Sequence, residues 1–104
     1  MPNLKVSITR FVDECQPGIV ACEFTDADSY LHTLIDKVPM FTSEPLWHDS
    51  NYPTTGTAEC SVIERVQDTK GRKLTRITIA RPYDMESSDG EAEFVVLESQ
   101  LVPD

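Results

Sequence analysis

The chain has 104 residues and a net charge of −9, with 39% hydrophobic residues. That is the size of one domain with one core, too short for a second domain or a deep, fully enclosed active site. An acidic field repels phosphate backbones and anionic lipid, so nucleic acid and membrane surfaces are poor partners and basic proteins are favoured ones.

The charge is unevenly spread. Residues 1–63 carry a net −6, and residues 82–104 carry −7 with no Lys or Arg. Residues 64–81 carry +4, through Arg65, Lys70, Arg72, Lys73, Arg76 and Arg81 against two acids.

Period-two alternation dominates the pattern. Leu4, Val6 and Ile8 alternate with Lys5, Ser7 and Thr9 and predict a first strand over 3–12. Residues 13–18 form a turn broken by Pro17-Gly18. Val20, Cys22 and Phe24 share one face of a second strand over 19–25, and Asp26-Ala27-Asp28-Ser29 has the side chains that bond nearby backbone amides in turns. Residues 30–38 then read as a third strand, making a hairpin. Ala27, Leu31, Leu34, Ile35 and Val38 also fit a helical period that Asp28 or Ser29 could cap. The strand reading is preferred because the flanking pattern alternates.

Pro39, Pro45 and Pro53 interrupt this pattern, and 39–57 reads as a long loop with at most one helical turn. A fourth strand follows at 58–67. Asp68-Thr69-Lys70-Gly71 is a hairpin turn, with Gly71 suited to positive φ. A fifth strand covers 73–81, a second loop 82–90, and a sixth strand 93–98. The expected architecture is an all-β domain over 1–104, a small antiparallel barrel or sandwich of five to seven strands with one long loop, nearer to a closed barrel.

Cys15, Cys22 and Cys60 are an odd set without close pairing, which points to a reducing compartment. Cys22 and Cys60 lie in apolar strand patterns and read as core residues. No signal-peptide h-region begins the chain and no apolar run reaches membrane length, so the expected location is the cytoplasm.

Candidate chemistry is sparse. His32 and His48 are the only histidines, and no G-x-S-x-G, C-x-x-C or Gly-rich phosphate loop accompanies them. Asp84 to Glu91 superficially resembles a calcium loop, but its glycine stands at the wrong position and flanking helices are absent. No catalytic residue, metal or cofactor is expected.

Two surfaces stand out instead. The long loop presents Phe41, Trp47 and Tyr52 among prolines, and aromatic residues of this kind dominate binding interfaces. The second surface is the run of Asp84, Glu86, Asp89 and Glu91, which has no neighbouring base in sequence. These seven residues are the expected partner-binding set. The aromatics could equally plug one end of the core, and the acids could merely balance the basic strands.

The segments Ala21-Cys22-Glu23-Phe24-Thr25-Asp26-Ala27, His32-Thr33-Leu34-Ile35-Asp36-Lys37-Val38-Pro39 and Ile79-Ala80-Arg81-Pro82-Tyr83-Asp84-Met85-Glu86-Ser87 resemble a group of small bacterial proteins that have no assigned function. Small size, acidity and the lack of a catalytic set are similar to toxin-neutralising immunity proteins. That likeness implies protein binding and carries over no residue. The expectation is a non-enzymatic module that docks on a basic bacterial protein. The alternatives are a small hydrolase or metal-dependent enzyme centred on a histidine, and a homodimeric subunit.

Overall fold

The computed structural model describes residues 2–15 and 17–102. Eight strands follow in chain order: β1 (Asn3–Asp13), β2 (Ile19–Thr25), β3 (Leu31–Lys37), β4 (Thr54–Glu59), β5 (Ser61–Gln67), β6 (Lys73–Thr78), β7 (Glu93–Leu97) and β8 (Leu101–Val102). Single 3-10 turns cover Val38–Met40 and Glu98–Gln100. One sheet has the order β3-β2-β1-β4, with β8 also paired to β1. The other is β5-β6-β7, and all pairings are antiparallel.

The architecture is therefore a sandwich rather than a closed barrel, and the strand count is eight rather than five to seven. The extra strands have plain causes. The expected strand over 58–67 is two strands, because the chain leaves one sheet and enters the other at Cys60. β4 starts at Thr54, inside the expected loop. β8 is a two-residue pairing that no pattern could announce. The alternative helix over 27–38 is absent, since residues 31–37 pair with β2 along their whole length.

The alternation seen in the sequence becomes the inner face. Leu4, Ile8, Val20, Cys22 and Leu34 from the first sheet are fully buried, as are Ile77 and Val96 from the second. Cys60 is buried at the corner, where its N–H donates to the Pro2 carbonyl at 3.1 Å. A single residue joins β4 to β5, so the two sheets must meet there.

Polar contacts clasp the sheets near the β2–β3 turn. The Ala27 N–H donates to the Val95 carbonyl of β7 at 2.9 Å, and Arg72 Nη1 donates to the Ala27 carbonyl at 3.2 Å. Gln100 bridges from the other side. Its Oε1 accepts the Leu97 N–H at 2.8 Å and its Nε2 donates to the Thr25 carbonyl at 2.7 Å. Under this clasp the rings of Phe24, His32 and Phe94 pack together with centroids 4.6–5.2 Å apart. Aromatic packing of this kind adds roughly 0.5–1.5 kcal/mol per pair beyond area burial.

The β5–β6 hairpin is closed by Asp68. Its carboxylate accepts the N–H groups of Lys70 and Arg72 at 3.0 and 2.8 Å, and Arg72 Nε at 2.6 Å. Gly71 takes φ +82°, as the turn chemistry requires. β5 is half-exposed or exposed along its length. Arg65 of β5 therefore faces solvent, whereas β6 alternates exposed Lys73 and Arg76 with buried Thr75 and Ile77.

Gly56 of β4 lies opposite Val6 of β1, and a Cβ there would stand 2.8 Å from Ile8 Cδ1 and 3.0 Å from the Phe41 carbonyl oxygen. The backbone atom cannot give way without moving the loop that follows Val38. Gly56→Ala is expected to cost about 1–3 kcal/mol, read as a Tm lowered by roughly 4–8 °C per kcal/mol in thermal unfolding. An unchanged or raised Tm would contradict this packing.

Candidate functional site

The strand order places β3 and β4 at opposite edges of the first sheet. The connection must cross the sheet, and it does so early. Val38 and Phe41 are buried, and the Phe41 carbonyl accepts the Thr57 N–H at 2.9 Å, so the chain already lies beside β4 at residue 41. Backing up from Thr57 to Thr54 spans only about 10 Å of strand. Residues 42–53 are far longer than that distance needs, and they form an excursion from the sheet edge.

The excursion is ordered by its own bonds. The Tyr52 hydroxyl donates to the Trp47 carbonyl at 2.6 Å, and the Ser50 N–H donates to the same oxygen at 3.1 Å. The Trp47 N–H donates to Ser50 Oγ at 2.9 Å, and the Glu44 N–H donates to Thr42 Oγ1 at 3.1 Å. The backbone on both sides of Trp47 is thus held while its side chain stays 56% exposed. Tyr52 and Leu46 rest against the core from outside it.

The excursion leans back onto the β1–β2 turn. His48 Nδ1 lies 3.2 Å from Glu14 Oε1. Phe11, Glu14, Pro17, Gly18, Leu46, Trp47 and His48 enclose an open cavity of about 270 Å3. Gly18 has φ +96°, and a Cβ there would stand 3.0 Å from Phe11 Cζ, so glycine lets the turn pass close under the ring. A second groove of about 450 Å3 lies on the other side of Trp47, with Pro39, Thr42 and Ser43 in its walls. Those same three residues line a further groove with Tyr83, which is also 56% exposed.

Tyr83 leads directly into the acidic loop. Ser87 is buried and organises that loop: its Oγ accepts the N–H groups of Asp89 and Glu91 at 3.3 and 3.1 Å. The Ser88 N–H donates to the Thr33 carbonyl at 2.8 Å, laying the loop along the edge of β3. Met85 turns into the core. Asp84, Glu86, Asp89 and Glu91 are exposed, and none forms an ion pair among the described residues.

The seven expected partner-binding residues therefore separate. Trp47 is presented, and the four acids are exposed and unpaired. Tyr52 is half-buried and holds the Trp47 carbonyl. Phe41 is corrected: at 2% exposure it belongs to the core, because the crossing from β3 to β4 needs an apolar plug at that point. Sequence reasoning missed Phe11, Glu14 and Tyr83. Phe11 and Glu14 reach Trp47 only through the sheet order, and no local signal could have joined them.

Both histidines lie beside a carboxylate. His32 Nε2 is 2.7 Å from Asp26 Oδ2, with side chains 11% and 16% exposed. The His32 ring is committed to packing on Phe24 and Phe94. Among the described residues, neither histidine shares a hydrogen bond with a Ser, Thr or Cys side chain, and no three His, Cys, Asp or Glu side chains converge as a metal-ligand set. The exposed Cys15 is poorly placed as a nucleophile. The Asp13 carboxylate accepts the Cys15 N–H at 2.9 Å and is held low by it, and the same carboxylate raises the Cys15 thiol. Burial pushes the Cys22 thiol up to about 12 and the Cys60 thiol up to about 11.

The chain matches no protein-family model, and no curated protein or solved structure is significantly similar to it. Among the described residues, no helix is long and apolar enough to cross a membrane.

Burial alone would raise the Asp26 carboxyl, but bonds from His32 and from the Tyr30 and Asp28 N–H groups outweigh it and hold it below the usual value. Arg72 and two backbone donors hold Asp68 low in the same way. A carboxyl lowered in the folded state stabilises the fold above its unfolded pKa of about 3.9, and the contribution is lost as pH falls through the folded value. Stability should therefore fall below about pH 4 in equilibrium unfolding. Asp26→Ala should cost about 1–3 kcal/mol at pH 7 and flatten the acid limb, and an acid limb as steep as in the parent would contradict this. A thiol reagent on the native protein should label Cys15 alone, and slowly, with Cys22 and Cys60 reacting only after unfolding. Rapid labelling of all three would refute the burial.

Proposed function

We propose that this protein is a non-enzymatic binding module that docks on a basic protein, using Trp47 together with the acidic loop of Asp84, Glu86, Asp89 and Glu91. The observation that carries this is the excursion 42–53. Its length exceeds what the connection requires, and its internal bonds hold a large aromatic side chain in solvent. A tryptophan on a held backbone loses less entropy when a partner covers it, and tryptophan is among the residue types most often dominant at interfaces. The unpaired carboxylates supply the long-range term, steering a basic partner and setting a strong salt dependence.

Pro39, Thr42 and Ser43 link the Trp47 groove to the Tyr83 groove, and Tyr83 adjoins Asp84. The role that fits is neutralising or regulating a basic bacterial protein in the cytoplasm, as immunity proteins do. The histidine–carboxylate contacts support a hydrolytic reading less well, because neither ring has a nucleophile bonded to it among the described residues.

Capture from the native lysate at low and high salt tests this, with Trp47→Ala and an Asp84→Asn/Glu86→Gln double variant as controls. A basic partner should be retained at low salt. It should be lost or reduced at least about tenfold by either variant, and weakened by high salt. No partner at either salt, or one indifferent to both variants, would sink the proposal. Light scattering of the purified protein should show a monomer, and a stable homodimer covering Trp47 would replace the proposal with a subunit role.

A further inference from the structure

We infer that the cavity between Trp47 and Glu14 is a subsite for a guanidinium group, an arginine side chain of the partner. This rests on the docking reading above and names what the partner would insert.

Size comes first. A volume of about 270 Å3 lies just below the roughly 300–1,000 Å3 of pockets for drug-sized ligands, so it suits a side chain rather than a cofactor. The lining chemistry selects the charge. Phe11 and Trp47 supply aromatic rings, and Glu14 supplies a carboxylate whose Oε1 is oriented by His48 Nδ1 at 3.2 Å. Aromatic rings attract cations through their quadrupole, tryptophan most strongly. A planar guanidinium can stack on an indole and donate to a carboxylate at once, which a compact ammonium cannot do equally well.

The surroundings agree. Among the described residues that line the cavity, Glu14 is the one carboxylate and none is Lys or Arg. Among the described residues, His48 is the only side chain bonded to the Glu14 carboxylate. No Lys or Arg lines the cavity among the described residues, and its one base, His48, meets Glu14 at Oε1.

Trp47 is the only tryptophan of the chain, so its fluorescence reports on the two grooves that it lines, and Glu14→Gln tells them apart. The intact protein is titrated with N-acetyl-arginine amide at constant ionic strength. N-acetyl-citrulline amide serves as the uncharged isostere and N-acetyl-lysine amide as the ammonium control. The expected result is a saturable change with a dissociation constant on the order of millimolar, weaker for lysine and absent for citrulline. Glu14→Gln, an exposed change that leaves the fold alone, should weaken arginine binding roughly three- to fivefold.

No saturable change, an equal response to citrulline or lysine, or indifference to Glu14→Gln would overturn the assignment. The two proposals fail separately. If arginine amide does not bind but capture of a partner still depends on Trp47, the guanidinium subsite falls and the docking surface stands. Saturable arginine binding that Glu14→Gln weakens upholds the subsite even where no partner is captured.

Discussion

The order β3-β2-β1-β4 is the constraint from which the rest follows. Successive strands normally pair, yet β3 and β4 lie at opposite edges of their sheet, with β1 and β2 between them. The chain must cross, and a crossing segment cannot leave its backbone groups unpaired beneath a second sheet. The Val38–Met40 turn and the bond from Thr57 N–H to the Phe41 carbonyl meet that demand. Phe41 is drawn into the core as a consequence. Once the crossing is complete, residues 42–53 lay Leu46 and Tyr52 against the core and hold the tryptophan in solvent.

Two further joints make the crossing meaningful. Cys60 turns β4 directly into β5 and fixes where the sheets meet. The clasp at Ala27, Arg72 and Gln100, over the packed rings of Phe24, His32 and Phe94, fixes the other end. Together they leave β5 as the exposed strand of the second sheet. They also lay the acidic loop along the edge of β3. The segregation of charge along the chain thereby becomes a segregation in space, with a basic hairpin on one sheet and unpaired carboxylates beside the other. On the proposed reading, a field arranged this way would guide a partner's approach, and the aromatic ledge would contribute the short-range contact.

Much of the fold was legible locally. The alternation of Leu4, Val6 and Ile8, and of Val20, Cys22 and Phe24, marked strands and identified which face is buried. Asp68 and Gly71 announced their hairpin through turn chemistry alone. The candidate site was legible only in part. Exposure of Trp47 and the acids matched the expectation, but Phe41 and Trp47 looked alike in sequence and took opposite positions. Phe11 and Glu14 gave no sign of meeting Trp47.

The reason is physical. Periodicity, turn residues and charge act over a few residues, so the chain itself determined its strands, its hairpin turns, its thiol burial at Cys22 and Cys60, and its acidic balance. Which sheet each strand joins depends on hydrogen bonds between residues far apart in the chain. Only the tertiary structure could decide that the domain is a sandwich rather than a barrel. Only it could turn one strand into two at Cys60, bury Phe41 and bring Glu14 to the foot of Trp47.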